Sequence, residues 1–261
     1  KNIKVAGTAD FVFPRSRDIF NETDHGTKVL SALGMNAPTV YIGSAPEATY
    51  WLLRCEEQQT EQPVEEDYWA MAAEFADSVG VDMISSSLGY NEYDNHYGDH
   101  KYREMDGHST LISHTASMLA SKGIVLVNSA GNYGMGPWKK ITFPADAEDI
   151  ITVGALTQEL TNAPFSGVGP TQDGRIKPDL MAIGSPATLI SSRGTVMEDM
   201  GTSFSTPIVC GLIACLWQAM PEKTALEMID IVRRCGDNYD HPDNVYGYGI
   251  PDFTRALKIE N

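Results

Sequence analysis

A serine stands at the start of a long apolar segment in the last third of the chain. Residues 201–207 read GTSFSTP, so a glycine turn leads directly into Ser203 and the apolar residues behind it. A helix that begins there would expose the serine Oγ and would place backbone N–H groups where the oxyanion of a reacting carbonyl develops. Serine is also a common helix cap, and the motif by itself supports a nucleophile and a cap about equally.

Two further motifs carry the groups that a serine nucleophile requires. His25 lies in DHGTKV, before a short helical pattern that ends at Gly34, and its imidazole could accept a serine proton near neutral pH. Asn132 lies in SAGNYG, directly after an apolar strand pattern, where its side-chain N–H could donate to an oxyanion. A lone histidine is more often a helix cap or a core residue, so the prediction rests on the combination of the three motifs.

A fourth polar cluster combines two aspartates with two histidines. Asp94, His96, Asp99 and His100 have ligand chemistry suited to a divalent metal. Their spacing matches no recognisable ligand set, so use in a polar surface loop is the favoured interpretation. We therefore predict no metal and no cofactor; calcium is possible, but no recognisable calcium motif supports it.

The segments between these motifs alternate between strand and helix patterns. Helices are predicted near 65–79 and over 109–121, and short apolar strands at 40–43, 49–54, 83–87, 124–129, 150–154 and 179–183. Near-continuous apolar strands that are flanked by helices indicate a mostly parallel sheet covered on both faces. The predicted fold class is therefore α/β.

The final third of the chain is predicted to be helical. Residues 203–220 are apolar on all sides, which indicates a helix buried through the middle of the domain. Pro207 is assigned to its first turn, where a missing N–H costs little. Two further helices are predicted at 223–234 and 251–258.

Composition limits the classes of partner and of architecture. The 261 residues are 42% apolar, which fits one large domain over 1–261. Nineteen basic against 35 acidic residues give a net charge of −16, which opposes binding to nucleic acid or anionic lipid. No segment approaches the roughly 20 uninterrupted apolar residues of a membrane helix, so no membrane span is predicted.

Four cysteines are too few and too irregularly spaced for a disulfide scaffold. Cys210 and Cys215 lie in the apolar helix pattern and are predicted to be buried free thiols. The chain begins at Lys1 without a leader or pro-segment, and we expect that an upstream part has been removed or omitted.

In chain order, His-Gly-Thr at 25–27, Ser-Leu-Gly at 87–89, Ala-Gly-Asn at 130–132 and Gly-Thr-Ser-x-Ser-x-Pro at 201–207 resemble the motifs of the subtilase family of serine peptidases. The resemblance extends from residue 10 onward. It implies a three-layer subtilisin-like fold, with a mostly parallel sheet between helices and a buried central helix that starts at the nucleophile. It also implies that His25 is the general base, Ser203 the nucleophile and Asn132 the oxyanion donor.

The resemblance further implies a substrate cleft with two walls. Ser87, Leu88 and Gly89 match the segment that pairs with the substrate backbone and forms one wall of the main specificity pocket, and the opposite wall matches Ala130 and Gly131. Departures from the family pattern remove no catalytic group: Lys28 stands where many relatives have histidine, Met200 precedes the serine motif, and Phe204 and Ser205 replace the commoner methionine and alanine.

The catalytic aspartate is expected to be missing from these residues. In the family it ends the first strand, a few tens of residues before the histidine, whereas only 24 residues precede His25. Asp10 resembles a later segment of the family, and Asp24 an acidic neighbour of the histidine. Because an absent interior strand would leave two neighbours with unpaired N–H and C=O groups, we predict an N-terminal companion segment of the same precursor that carries both strand and aspartate.

The function predicted from the sequence is serine endopeptidase activity on peptides or proteins, through an acyl-enzyme, in a secreted or cell-envelope protein. The alternative is a catalytically inactive peptide-binding module of the same fold. A different hydrolase fold is a weak third option, because no G-x-S-x-G motif surrounds Ser203. The motifs predict no cleavage-site preference, because pocket depth depends on loop geometry.

Overall fold

The computed structural model describes residues 3–16 and 18–259, over which strands and helices alternate. The strands are β1 (Lys4–Asp10), β2 (Asn36–Ala37), β3 (Tyr41–Ile42), β4 (Thr49–Arg54), β5 (Met83–Ser86), β6 (Val125–Ser129), β7 (Ile151–Thr157), β8 (Leu180–Ser185), β9 (Ala187–Ile190) and β10 (Val196–Asp199). The α-helices are α1 (His25–Gly34), α2 (Val64–Ser78), α3 (Leu111–Met118), α4 (Thr202–Ala219), α5 (Ala225–Arg234) and α6 (Phe253–Ile259).

A four-stranded parallel sheet in the order β5-β6-β7-β8 forms the centre of the molecule. Side chains of β6 alternate between its two faces. Val125 and Val127 pack with α4 and α5, whereas Leu126 packs with α2 and α3. Burial on both faces explains the apolar run at 124–127, and it confirms the predicted parallel sheet between helices.

The pattern at 40–43 was wrongly predicted to form a strand of the main sheet. It forms only β3, which pairs with β2 in a short hairpin whose turn is closed by a bond from the N–H of Val40 to the carbonyl of Ala37 at 3.0 Å. The hairpin of β9 and β10 was not predicted. It lies directly before the nucleophile motif and packs on α1 through Leu189.

A second piece of sheet lies beside the first and consists of β1 and β4, which run parallel. Over the described residues β4 pairs with β1 and β5 pairs with β6, and no ladder joins β4 to β5. The edges of β4 and β5 face each other across an open cavity of about 1640 Å³, which residues 49–55 and 81–89 line. We call the space between these two edges the strand slot.

Helices on both sides hold the two pieces of sheet in a fixed relation. On one side α2 packs in a single apolar cluster with Leu53 of β4 and Ile84 of β5. On the other side α4 packs in a second cluster with Tyr50 of β4 and Met83 of β5. The β4–α2–β5 connection is a strand–helix–strand crossover, which normally joins parallel strands of one sheet.

Helix α4 begins at Thr202, and Pro207 is its sixth residue, beyond the first turn to which the sequence assigned it. A proline there leaves the carbonyl of Ser203 without its helical donor. The Ser87 hydroxyl fills that role and donates to the Ser203 carbonyl at 2.7 Å. The helix therefore tolerates Pro207 by taking a side-chain bond from the end of β5.

The same helix is long and apolar enough to span a membrane by composition. Of the 18 residues of this helix, 61% are buried within the domain. Its apolar composition is therefore explained by packing against the sheet. Cys215 was wrongly predicted to be buried: it is exposed on α4, whereas Cys210 is buried. All four cysteines are free.

Candidate active site

Ser203 occupies the second position of α4, where the glycine turn brings the chain to the sheet. The N–H of Gly201 donates to the carbonyl of Gly184 at 2.9 Å, which fixes the turn to the end of β8. Ser203 is 8% exposed, and its Oγ lies 3.3 Å from the carbonyl of Ser87 and lines the open cavity. The side chain of Ser203 therefore faces the open cavity.

Asn132 follows β6 through Gly131, whose φ of +91° favours glycine. Its Oδ1 accepts two bonds of 2.9 Å, from the N–H and from the hydroxyl of Thr202. Because the backbone N–H can only donate, the oxygen must face Thr202 and the NH₂ group is left for another acceptor. That Nδ2 lies beside Gly201, 3.7 Å from the position that a Cβ would take there.

His25 is the first residue of α1 and lines the same cavity as Ser203 and Asn132. Its ring lies 6.0 Å from that of Phe204, at an interplanar angle of 52°. Within 3–16 and 18–259, the ring nitrogens of His25 have no hydrogen-bonding partner, and Ser203 Oγ bonds instead to Ser87. His25 and Ser203 thus share one cavity without a direct hydrogen bond.

Charges around α1 affect the basicity of His25. Burial is the largest influence and lowers the pKa of the imidazole; Lys28 lowers it further, whereas Asp199 and Asp24 raise it. Lys28 bridges the two carboxylates, with its Nζ 3.0 Å from Asp24 Oδ1 and 3.0 Å from Asp199 Oδ2. A lowered pKa keeps His25 neutral near pH 7, as a general base requires.

The predicted substrate walls leave the carboxyl ends of β5 and β6. Ser87, Leu88, Gly89 and Gly131 line the same cavity as Ser203, whereas Ala130 is fully buried behind its wall. The carbonyl of Leu88 accepts from the side chain of Asn128 at 3.3 Å, which ties one wall to β6. The residue between the walls, Thr142, was not identified from the sequence, because nothing in ITFP at 141–144 signals a pocket.

Neither Asp10 nor Asp24 bonds to His25. Asp10 ends β1, and its Oδ1 accepts from the N–H groups of Val12 and Phe13 at 3.0 and 2.7 Å. Its other oxygen lies 3.4 Å from Arg54 Nη1. Because β1 is separated from the slot by β4, Asp10 lies at the outer edge of the two-stranded piece.

The four residues of the Asp-His cluster do not converge on one point. His96 Nδ1 lies 2.9 Å from Asp99 Oδ2, and Asp94 accepts the N–H of Glu61. His100 instead reaches the buried carboxylate of Glu66 through its Nε2 at 2.5 Å. Among the described residues, no group of three or more His, Cys, Asp or Glu side chains could hold a metal ion.

A model of the subtilase family matches residues 13–249. The chain belongs to the subtilase family. Serine protease AprX of Bacillus subtilis strain 168 is 27% identical over 286 aligned residues, which cover 97% of this chain and 62% of AprX. Subtilisin DY of Bacillus licheniformis is 26% identical over 265 residues, covering 98% and 85% of the two chains. This subtilase chain thus spans about three fifths of AprX, and the family is one of serine peptidases.

Solved structures confirm the subtilisin-like fold. MycP1 with its N-terminal propeptide removed superposes with a TM-score of 0.76 at 22% identity, covering 98% of this chain and 89% of that one. A serine-to-alanine mutant of the protease domain of PatA gives a TM-score of 0.75 at 19% identity, covering 99% and 88%. At these identities the likeness establishes the fold of this subtilase and not its substrate.

Proposed function

We propose that this chain is the greater part of one serine endopeptidase domain, with Ser203 as nucleophile, His25 as general base and Asn132 as oxyanion donor. The observation that carries the proposal is the convergence of these residues, from α4, α1 and the end of β6, on one open cavity that the predicted substrate walls also line. The family supplies the reaction class, and the geometry supports the assignment of roles.

In the proposed reaction, His25 removes the hydroxyl proton of Ser203 as Oγ attacks the peptide carbonyl. The resulting oxyanion accepts a hydrogen bond from Asn132 Nδ2, whose orientation Thr202 fixes through the opposite end of the amide. The protonated imidazole then gives its proton to the leaving amine, and water hydrolyses the acyl-enzyme with His25 again as base. Peptides or proteins are the substrates, and no cofactor enters these steps.

The triad carboxylate is proposed to come from a strand of an upstream precursor segment that occupies the strand slot. Support comes from the slot itself, since its two edges carry unpaired strand backbone and its faces are apolar. Small residues of α2 line one face of the slot, and small residues of α4 line the other, which leaves room for the side chains of an inserted strand. These small residues are Ala72, Ala73 and Ala76 of α2 and Gly211 and Ala214 of α4. The carboxyl end of a parallel strand there would lie between Arg54 and Ser87, on the side of His25.

An N-terminal extension tests this part of the proposal. The extension consists of a seven-residue apolar strand that ends in aspartate, joined to Lys1 by a glycine-serine linker. The linker must run back along the inserted strand, which is about 25 Å long for seven residues, and then across two strand spacings to reach Lys1. A linker of about 12 residues is long enough for this path. The extended chain is expected to unfold cooperatively and to hydrolyse peptides.

Two matched extensions serve as controls. Asparagine in place of the terminal aspartate should preserve folding and lower kcat by about 10⁴-fold, which is the loss that this substitution causes in a Ser-His-Asp triad. Proline in the middle of the strand should prevent insertion, because it removes a ladder N–H. Full activity of the 261-residue chain without any extension would contradict the proposal.

An active-site phosphonate probe tests the nucleophile in the protein that retains its upstream segment. Intact mass should show one adduct, which peptide mapping locates on Ser203 and which Ser203→Ala abolishes. Ser205→Ala is the matched control, because Ser205 is fully buried two residues away and donates to the carbonyl of Thr202. Labelling that survives Ser203→Ala would refute the assignment.

Two substitutions of different expected severity test the proposed role of Asn132 as oxyanion donor. Asn132→Ala should lower kcat by about 10²–10³-fold with little change in KM, which is the range known for the corresponding donor of subtilisin, a member of the same family. Thr202→Val should cost less, because the backbone N–H of Thr202 still orients the Asn132 amide after the hydroxyl is lost. Equal losses in the two variants would argue against this orientation mechanism.

The second candidate function is a peptide-binding module without turnover. The observation that favours it is the absence of a carboxylate bonded to His25 among the described residues. It predicts that the complete protein binds peptides in the cleft while Ser203 stays unlabelled by the phosphonate. Secretion, or attachment to a cell envelope, remains the proposed location for either function.

A further inference from the structure

The segment between β4 and α2 places carboxylates beside the proposed catalytic groups. Glu56, Glu57 and Glu61 line the same cavity as Ser203. Glu56 and Glu61 are half-buried, and within residues 3–16 and 18–259 neither side chain accepts a hydrogen bond or pairs with a basic residue. These two carboxylates are therefore open to a cation that enters the cavity. We call the two of them the acidic pocket.

Burial and repulsion between like charges disfavour the ionised form of the acidic pocket. Burial, together with the charge of Glu61, raises the pKa of Glu56 to about 7. Burial, followed by the charge of Asp94, raises the pKa of Glu61. Burial also raises the pKa of the neighbouring Cys55 and Tyr90, so both stay neutral. A cation between the two carboxylates would oppose these effects, because an opposite charge favours the ionised carboxylate.

Glu65 lies behind the acidic pocket and lacks a partner for one of its oxygens. It is 1% exposed, and its Oε1 accepts from the N–H of Glu57 at 3.0 Å, which directs the carboxylate toward the segment 56–61. The other oxygen, Oε2, is buried and has no hydrogen-bonding partner among the described residues. Burial, together with the charges of Glu61 and Glu56, raises the pKa of Glu65 to about 8. A buried carboxylate oxygen without a donor is destabilising, and a cation in the acidic pocket would offset that cost.

Arg54 does not neutralise the acidic pocket. Its Nη1 lies 3.4 Å from Asp10 Oδ2 and 3.2 Å from Glu22 Oε1, and its Nη2 lies 3.8 Å from Glu57 Oε2. Its Nε donates to the backbone carbonyl of Glu56 at 3.2 Å and not to the carboxylate. The positive charge of Arg54 is therefore shared among other carboxylates.

An aromatic ring also faces the cavity near these carboxylates. Tyr133 directly follows Asn132, is 42% exposed and lines the same cavity. Burial is the main influence that raises the pKa of Tyr133, and the charge of Glu61 is the next, so the phenol lies within electrostatic range of the acidic pocket. Carboxylates and an aromatic face together bind guanidinium and ammonium groups, through charge-assisted hydrogen bonds and cation–π contact.

Glu61 is tied to the segment that continues the predicted wall at 87–89. The N–H of Asp94 donates to the carbonyl of Glu61 at 2.9 Å, and the N–H of Glu61 donates to Asp94 Oδ2 at 3.1 Å. The wall itself is expected to pair with the substrate backbone. A peptide that pairs there would continue toward the acidic pocket with the residues that precede the one in the main pocket.

We propose that Glu56 and Glu61 bind an arginine or lysine side chain of the substrate, on the acyl side of the cleaved bond and beyond the residue that enters the main pocket. The proposal rests on the peptidase function above. Among the described residues no three His, Cys, Asp or Glu side chains could hold a metal ion, whereas a long side chain with several N–H donors can reach carboxylates that lie apart. The net charge of −16 adds a long-range attraction for basic peptides.

The test uses the protein that retains its upstream segment and peptides that differ at one residue. Arginine, glutamine or glutamate is placed at each of the three positions before the residue next to the cleaved bond, one position at a time. At one of these positions kcat/KM should be about tenfold or more higher for arginine than for glutamine, and lowest for glutamate. The absence of an arginine preference at all three positions overturns the proposal.

Substitutions assign this preference to the acidic pocket. Glu56→Gln and Glu61→Gln should each lower the arginine-to-glutamine ratio of kcat/KM by about threefold, and the double variant should remove the preference. Glu74→Gln is the matched control, because Glu74 is exposed on α2 and does not line the cavity, so the ratio should stay unchanged. If the double variant does not fold, as measured by thermal unfolding, the single variants decide. An unchanged ratio in the folded single variants overturns the proposal.

The pH dependence of the ratio separates charge from shape. Both peptides are compared on the same enzyme, so the titration of His25 cancels. The ratio should fall as the pH is lowered through about 7, where Glu56 takes up a proton in the free enzyme. Added salt should lower the ratio as well. A ratio that stays constant with pH and with salt excludes a charged subsite.

A basic side chain of the upstream segment is the alternative source of the cation. In that case the double variant would unfold at lower temperature while arginine peptides show no advantage, and the proposal is wrong. If Ser203 stays unlabelled by the phosphonate in the folded protein, the peptidase proposal is wrong, and the dissociation constants of the arginine and glutamine peptides then decide the acidic pocket by themselves. Labelling of Ser203 without an arginine preference refutes only the acidic pocket.

Discussion

β6, in the four-stranded piece of the sheet, is buried along its whole length, whereas β1, in the two-stranded piece, buries only its last residue. The first piece has helices on both faces and paired neighbours for its inner strands. The second contacts the rest of the domain through α2 and α4 across the strand slot. The difference shows that the four-stranded piece lies within the core that this chain forms, whereas β1 lies largely at the surface.

The proposed catalytic groups also differ in the elements that position them. Ser203 and Asn132 lie at the ends of the four-stranded piece, while His25 lies on α1, which packs on α4 and on the β9–β10 hairpin through Phe204 and Leu189. Ser203 and Asn132 are therefore positioned by the core, and His25 by a smaller cluster and by the Lys28 bridge. Three predictions test this contrast.

The largest effect is expected from Asp179→Asn, directly before β8 of the four-stranded piece. Asp179 is 1% exposed and binds Lys177 at 2.7 Å and Arg233 at 2.8 Å. Burial acts to raise the pKa of Asp179, but Arg233 and Lys177 hold it below its ordinary value. Removing the carboxylate leaves two cations unpaired and should lower the free energy of unfolding by about 3–5 kcal/mol in urea denaturation.

The exposed pair of Asp173 and Arg175 provides the control for that measurement. Asp173→Asn should cost less than about 1 kcal/mol, because both partners are partly solvated. The pH dependence follows from the sign of the shift at Asp179: its contribution is present above its ordinary pKa of about 3.9 and is lost as the pH falls through the lower pKa of the folded state. Equal costs for the two substitutions would contradict a buried ion network.

A matched pair of leucines compares the two pieces directly. Leu126→Ala in β6, which is fully buried, should cost about 2–5 kcal/mol of unfolding free energy. Leu52→Ala in β4, which is half-buried and lines the slot, should cost about 1 kcal/mol in the chain itself. When the N-terminal extension fills the slot, the cost of Leu52→Ala should rise toward that of Leu126→Ala. An unchanged cost of Leu52→Ala would mean that the strand inserts elsewhere.

The smallest effect is expected at the Lys28 bridge. Lys28→Met removes the positive charge that lowers the pKa of His25 and leaves Asp24 and Asp199, which raise it. The acid limb of the kcat/KM profile should therefore move to higher pH, with a loss of unfolding free energy of about 1 kcal/mol or less. Lys28→Arg keeps the charge and should restore the limb; an unmoved limb in Lys28→Met would exclude this electrostatic role.

Local patterns in the sequence predicted most elements of the fold. The strand at 49–54 and the apolar helix after Gly201 are within about one residue of their predicted bounds, because apolar periodicity and glycine turns are local signals. The same applies to His25, Asn132 and Ser203 as candidates, since each stands in a short motif of residue types with the required chemistry. Their joint placement at one cavity followed from the parallel sheet, whose strand ends meet at one edge.

Other features depended on contacts between residues far apart in the chain. The Ser87 hydroxyl compensates for Pro207 from more than 100 residues away, and Lys28 meets Asp199 in the same manner. Thr142 fills the space beside Gly89 and Gly131 only because three separate segments meet there. The sequence determined which residues could do chemistry and which segments are strands and helices. Tertiary packing decided the place of the open slot, because the slot arises from the distance between elements and not from the residues within one.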